Sequence, residues 1–476
     1  MRLFVLFLSM ILILGPQAMN AQDNSRMTLA QCIDYARQNS LSIRQAQNGV
    51  RTTELSLKQN RLSRLPSVSA NVSAGNQFGR TIDPVTNDFI TQSVGFNSYS
   101  VNLGMTVFAG NRINNSIRQA DLDLQAAKLD AEFQSDNLAL QVANAYLTIL
   151  LAQEQLELTQ QQLQLSQQQL DQTDKLIQAG SLPENDRLDF LSQIALDEQS
   201  IVDAENQVAI AYLNLKQLME YDPAEPLEIV IPEIVLPADA NPDTYRFSDI
   251  YVSALGAQAN IKAADKRIES AEVGVDLAKA GFMPTLRISG GLNTNYSSRA
   301  QQFTFVDGTE SQTIIINGQE VTLEVPTTTP VGQDYPYFDQ VQDNFGQSIG
   351  ANLSIPIYSN HQNKINVERA RLNAIGQELQ GLQARQTLKN NVQQAIADAR
   401  AAQRSLRAAQ AAVSAAEIAF DNAEKRFDLG AINSLEYSTA RNNLDRARIQ
   451  LIRARYSYLF NIKQVEFYQG KRIDLE

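Results

Sequence analysis

The sequence has one cysteine, one histidine and no tryptophan in 476 residues, and each scarcity removes a class of chemistry. With Cys32 alone no intramolecular disulfide can form, and Cys32 with His361 falls short of the ligands a Cys/His metal cluster needs. Positive charge is also short: 40 Lys and Arg against 52 Asp and Glu leave a net charge of -12 and a pI near 4.8. A phosphate-binding surface requires clustered cations, so nucleic acid is excluded as a partner. Gly-rich phosphate loops and nucleophile elbows are missing, and carboxylate pairs such as Asp121 and Asp123 lie on glutamine-rich, solvated helix surface. His361 reads as a satisfied residue at the start of a helix. Neither an enzyme nor a cofactor or metal is expected.

Long apolar runs are the next absence. Residues 1–21 read as a secretory signal, with Arg2 as the positive start, Leu3 to Leu14 as the apolar core and "GPQAMNA" as the breaker with small residues. Beyond it no stretch approaches the ~20 apolar residues of a membrane-spanning helix. An exported chain of this kind that crosses a membrane must use strands, because in lipid only helices and closed barrels satisfy every backbone polar group. Cys32 stands in "LAQC", which superficially suggests lipid attachment. Gln31 occupies a position that wants a small residue, and the apolar core ends near Leu14, so a buried helix cysteine is expected.

What is present is a repeated pattern. At a shift of 250 positions, "VNLGMTVFAGN" from Val101 meets "ANLSIPIYSNH" from Ala351. Tyr99, Val101, Leu103, Met105 and Val107 alternate with Ser100, Asn102, Gly104 and Thr106. Likewise Ile349, Ala351, Leu353, Ile355 and Ile357 alternate with Ser348, Gly350, Asn352 and Ser354. Upstream, at a shift of 218, "LPSVSANVSAG" from Leu65 meets "MPTLRISGGLN" from Met283. These are four strands, two per half, of about nine to eleven residues each, with one apolar and one polar face, a length that suits a tilted bilayer crossing. The alternative for any single one is a small soluble sheet with a wet face.

The two shifts place an insertion in the second strand-to-strand loop, roughly Tyr296 to Phe345, where "TIIINGQEVTL" carries the hairpin signal Asn317-Gly318. Tyr335, Tyr337, Phe338 and Phe345 nearby either form an interfacial aromatic girdle or pack the loop. Between the halves "YDPAEPLEIVIPEIVLPADANP" is too rich in proline for a helix and reads as an extended connector with a short strand. The expected division is 1–21 signal, 22–221 first repeat, 222–246 connector, 247–470 second repeat and 471–476 tail.

From Asn111 to Ala179 there is neither glycine nor proline, a helix approaching ~100 Å. Its seam runs Leu138, Val142, Ala145, Ile149, Ala152, Leu156, Thr159, Leu163, Ser166, Leu170, Thr173, Ile177, steps of four and three. Its counterpart runs Leu388, Val392, Ala395, Ala399, Ala402, Leu406, Ala409, Val413, Ala416, Phe420, Ala423, Phe427. The long helices stop at Gly180 and Gly430, where glycine can take the left-handed turn that ends a helix. Return helices follow, to about Glu220 and Tyr468. Shorter helices, Leu29 to Arg64 and Phe247 to Ala280, precede the strand pairs.

Four strands cannot close a barrel, and three chains would supply twelve around a lumen. Taken together, the signal, duplicated halves, strand pairs at "LPSVSANV" and "VNLGMTVFAGNR", long helices and turns at "QAGSLPE" and "DLGAINS" resemble the TolC family of outer membrane efflux proteins, from about Leu29 to Gly470. The resemblance implies a mainly α fold with membrane β: a homotrimer with a 12-stranded barrel in the outer membrane, four strands per chain, continuous with an α-helical barrel in the periplasm. It implies a channel that takes cargo from an inner-membrane transporter through a periplasmic adaptor, a membrane fusion protein, docked at the tips, here Gly180, Ser181, Leu182, Gly430, Ala431 and Ile432. It places entrance carboxylates at Asp186 and Glu436, while Thr439 stands where the family has another acid and Asp189 supplies one in the first half. Ile432 and Phe427 replace the basic residue and tyrosine used for closure, so those links are not transferred.

Rings of Asp186, Asp189 and Glu436 would favour cations at a narrow mouth. The plainer alternative is that acids in a first helical turn complement the dipole. The competing function is a periplasmic coiled-coil adaptor or another structural interaction protein, which would share the hairpins but leave membrane-length strands unexplained. A nutrient porin would not need helices of such length.

Overall fold

The computed structural model describes residues 26–82, 89–232, 241–316 and 319–471. The signal segment, the middle of the connector, the Asn317-Gly318 turn and nearly all of the tail lie outside them. The elements are β1 (Arg26–Met27), α1 (Leu29–Asn39), α2 (Leu41–Leu62), β2 (Ser67–Ile82), β3 (Phe89–Ala109), α3 (Arg112–Gln178), α4 (Asn185–Met219), β4 (Glu228–Ile229), α5 (Phe247–Ala257), α6 (Ala259–Lys279), β5 (Thr285–Ser297), β6 (Gln301–Ile316), β7 (Gln319–Asp334), α7 (Tyr337–Asp343), β8 (Gly346–Ser354), α8 (Gln362–Asp428) and α9 (Ser434–Tyr468). They form two compact units, a helical one within 1–54, 122–269 and 376–476, and a strand unit within 55–121 and 270–375. Each unit draws on both halves of the sequence.

In the helical unit, α3 and α8 are both 67 residues long and start at positions 250 apart. Such helices need packing along their course, and the two seams supply it: every seam position is buried or half-buried. One core joins Cys32, Ile33 and Ala36 of α1 to Val142, Tyr146 and Ile149 of α3 and Leu215 and Met219 of α4. A second repeats that scheme with Ile250 and Ala254 of α5, Leu388, Val392 and Ala399 of α8, and Tyr458, Ile462 and Val465 of α9. A fully buried Leu, Ile or Val is worth about 1.5–3 kcal/mol, so these layers dominate the unit's stability.

Cys32 is fully buried, and its burial pushes the thiol up to about 12. Its neighbour Gln31 closes a capping box: the Gln31 amide N–H donates to Thr28 Oγ1 at 3.3 Å, and Gln31 Oε1 accepts from the Thr28 amide at 2.8 Å. That accounts for glutamine in "LAQC". The connector contributes β4, which pairs in parallel with β1, and the Tyr146 hydroxyl donates to the Val230 carbonyl beside it.

Two expected helices are each broken once. Ser40 and Gln258 take extended backbone, ψ 129° and 120°, so Leu29–Arg64 becomes α1 with α2 and Phe247–Ala280 becomes α5 with α6. Neither break is at glycine or proline. At both, the amide donates to a carbonyl four residues back, Ala36 and Ala254, so the preceding helix closes its last turn before the chain turns away.

The strand unit holds an antiparallel sheet in the order β2-β3-β5-β8. Val68, Leu103, Gly290 and Ile349 form one cross-strand row, Ala70, Val101, Leu292 and Gln347 the next, with Gln347 the one polar side chain of the two rows. On the opposite face lie Ser69, Asn102, Gly291 and Ser348, then Asn71, Ser100, Asn293 and Gly346. The two faces are therefore as unlike as the alternation expects.

Three details correct the expected strands. First, β2 and β3 run 16 and 21 residues, since their hairpin continues well past Val72 and Tyr99. Second, a bulge falls between Thr106 and Phe108, so Phe108 rather than Val107 stands opposite Leu286. Third, β8 ends at Ser354, so Ile355 and Ile357 lie beyond it, on either side of Pro356, which has no amide to donate and cannot continue a ladder. The corners from strand to long helix, Gly110-Asn111 and Asn360-His361, are all left-handed, with φ 56°, 64°, 48° and 60°. His361 thus starts its helix, its carbonyl accepting from the Ile365 amide at 2.9 Å.

The inserted loop is structured. β6 and β7 pair from Gln301↔Asp334 to Ile316↔Gln319 as a separate two-stranded sheet. After it, α7 packs on the sheet: the Tyr337 and Tyr99 hydroxyls are 2.5 Å apart, and the Tyr337 ring lies 4.7 Å from that of Tyr296. Of the four loop aromatics, Tyr337 packs the loop, whereas Phe338 is 80% exposed.

Candidate functional site at the helical tips and the strand faces

In the helical unit the two turns are built alike. Gly180 and Gly430 have φ 75° and 69°. The Gly180 amide donates to the Ile177 carbonyl and the Ser181 amide to Leu176, both at 2.9 Å; Gly430 and Ala431 donate to Phe427 and Arg426 at 2.8 Å. This is the double hydrogen bond of a Schellman cap. Gly180, Ser181, Gly430 and Ala431 are exposed, while Ile432 is buried and Leu182 half-buried.

Those last two belong to an apolar knot of Phe190, Phe427, Ile432 and Tyr437, flanked by Leu170, Leu182 and Phe420. Phe190 and Phe427 meet at 5.9 Å, Phe427 and Tyr437 at 5.0 Å, so the turns of the two halves share one core. Phe420 and Phe427 are seam positions. Phe190 and Tyr437 carried no periodic signal of their own.

The carboxylates gather unevenly. Asp186 and Asp189 both meet the Ser434 hydroxyl, at 2.9 and 2.7 Å. Asp186 is buried and Asp189 exposed. Glu436 is exposed, at the first turn of α9, where its amide donates to the Asn433 cap at 2.9 Å. Asp186 sits in the first turn of α4, so both also meet the helix-dipole reading.

Sequence reasoning missed the network next to the knot. Arg441 of α9, 2% exposed, donates to Ser166 Oγ at 2.6 Å and to the Gln162 carbonyl at 2.5 Å, both on α3, and pairs with Asp197 of α4 at 3.3 Å. Ser166 also donates to Asp197. Asp445 lies 3.7 Å from Arg441; burial raises its carboxyl above the usual range, with the Arg441 guanidinium opposing that. Three helices from both halves are joined there, through a seam position that is Ser166 in α3 and Ala416 in α8.

In the strand unit Val101, Leu103, Val107, Ile349, Leu353, Ile355 and Ile357 are exposed, at up to 96% for Ile357. Met105 and Tyr99 are half-buried, Tyr99 under α7. No helix among the described residues is long and apolar enough to cross a membrane.

A family model described as "Outer membrane efflux protein" matches residues 32–219 and 250–470. The chain belongs to the outer membrane efflux protein family. This bears out the resemblance to TolC-family channels and makes the chain an outer membrane protein with its helical part in the periplasm, an outer membrane efflux channel. The matched residues stop at Met219 and resume at Ile250, on either side of the connector. Among curated protein sequences none matches.

Solved structures share the family fold. CusC, described with conformational changes accompanying folding and transmembrane channel formation, has a TM-score of 0.72 at 17% identity over 93% of this chain and 92% of its own. VceC of Vibrio cholerae has 0.72 at 16% over 94% and 97%. The CmeC channel of Campylobacter jejuni has 0.70 at 16% over 93% and 85%.

Proposed function

We propose that this efflux protein is one third of a trimeric exit duct whose two halves arose by duplication, and that it passes cargo from an inner-membrane transporter and periplasmic adaptor across the outer membrane. One observation carries the reading: a four-stranded antiparallel sheet with an exposed apolar face, a face of Ser, Asn and Gly, and β2 and β8 as its two edges. An unpaired strand edge in lipid costs several kcal/mol per orphaned backbone group, so copies must close the cylinder. Three copies give twelve strands, and small polar side chains inside leave them hollow. The adaptor then meets the exposed tip residues Gly180, Ser181, Gly430 and Ala431, with Leu182 and Ile432 holding the turns beneath, and Asp186, Asp189 and Glu436 set the charge of the mouth.

A coiled-coil adaptor shares the hairpins but gives the Leu103 and Ile349 face nothing to do. The test is the mass of the full chain in neutral detergent followed by planar-bilayer recording. A three-chain particle with stepwise conductance is expected. A stable monomer, or trimers that never conduct, overturns the duct.

A further inference from the structure

We propose that each copy carries a binding site for organic anions on the polar side of its sheet, formed by Lys58 of α2 and Arg287 of β5; the inference rests on the duct reading, which makes that side the wet one. A cavity of about 580 Å³ lies in the strand unit between the end of α2 and the sheet, and Lys58 and Arg287 both line it. Its sheet side is Ser67, Gly104, Thr106 and Arg287, which share the polar face: Ser67 pairs with Gly104, and Arg287 stands between Thr106 and Asn352.

The electrostatics are one-sided. No Asp or Glu lines the cavity, and neither cation has an ion-pair partner among the described residues, although nine other arginines and lysines of α2, α3, α6 and α8 have one. In a chain of net charge -12, the cavity therefore carries a local excess of positive charge, one cation from the helix and one from the sheet. The next rows of the polar face hold Ser67, Gly104, Ser289 and Gly350, then Ser69, Asn102, Gly291 and Ser348, so Arg287 is the charge that interrupts a neutral wall.

The cavity's helix side adds apolar surface beside Lys58. Leu55 and Leu62 line it at 52% and 50% exposure. A guanidinium grips a carboxylate, sulfonate or phosphate with two parallel N–H donors, and an ammonium adds a point charge. Cations beside exposed leucines select a solute with an anionic head and an apolar body over a bare inorganic ion or a cation. Repeated in each copy, the site forms a positive ring within a duct whose proposed mouth is acidic.

The experiment uses the purified full chain in neutral detergent, with naphthalene-2-sulfonate and uncharged 2-naphthol as probes in equilibrium dialysis. The sulfonate should bind wild type at least tenfold tighter than a Lys58→Gln/Arg287→Gln variant, with 2-naphthol the same in both, and added salt should weaken only the sulfonate. Equal sulfonate binding by both proteins, or salt-independent binding, overturns the site. Single variants Lys58→Gln and Arg287→Gln, at exposed positions, repeat the test should the double variant not assemble. In planar bilayers under a KCl gradient the double variant should shift the reversal potential toward cation selectivity. Proteins that conduct without that shift or charge-dependent binding sink this inference alone; proteins that never conduct sink the duct.

Discussion

Arg441 shows what a single side chain does in this fold. It lies 2% exposed with Asp197 and Ser166 as partners, so Arg441→Ala strands a buried carboxylate and should destabilise by roughly 3–5 kcal/mol. The paired change Arg441→Met with Asp197→Leu should recover most of that, measured by urea denaturation in detergent. Asp445 adds a pH dependence. Its folded pKa is raised, chiefly by burial, so its contribution is fully present below the ordinary carboxylate pKa and lost as pH rises through the folded value. Asp445→Asn should therefore flatten the decline of stability from acid toward neutral pH; an unchanged slope counts against the assignment. Cys32, with its thiol at about 12, should resist iodoacetamide at pH 8 in the native protein and react on unfolding. Cys32 was legible as a buried helix residue because it lies on an apolar face. Arg441 was not, since in "STARNNLD" it looks like any solvated helix position and its partners come from α3 and α4.

Element by element, the helices were the more legible part. The absence of glycine and proline from Asn111 to Ala179 and the seam's four-three spacing are local properties, and they bound α3 within a residue at each end. The breaks at Ser40 and Gln258 were hidden because nothing in their chemistry forbids a helix. At the tips nothing lies within 4 Å of a Cβ added to Gly180 or Gly430, so a substitution strains only the backbone. Gly180→Val and Gly430→Val should each cost about 1–2 kcal/mol and impair adaptor capture in a pull-down, with the oligomer intact. In the sheet, Leu103→Arg should cost about 2–4 kcal/mol of insertion at the bilayer midplane, whereas Asn102→Arg on the opposite face should insert normally and alter conductance. Equal effects of the two would reverse the face assignment. The bulge at Val107 escaped the alternation because a bulge inserts one residue without changing residue type, while the end of β8 is written in Pro356.

For the whole molecule, composition and periodicity determined a great deal. One cysteine, few cations, two alternating strand pairs and two glycine-ended helices set out a chain of strands and long helices, and their joint resemblance pointed to the family that the comparison then identified. Those properties are local: alternation, heptad spacing and left-handed stops are read within about a dozen residues. Tertiary structure decided what local patterns cannot carry. It drew one compact unit from the helices of both halves and another from the strands of both, set Asp186 and Asp189 against Ser434 across 248 and 245 positions, buried Ile432 in an aromatic knot, and placed Lys58 and Arg287 on one cavity. Such pairings depend on which distant segments exclude water together, and that selection is made only when the chain closes on itself.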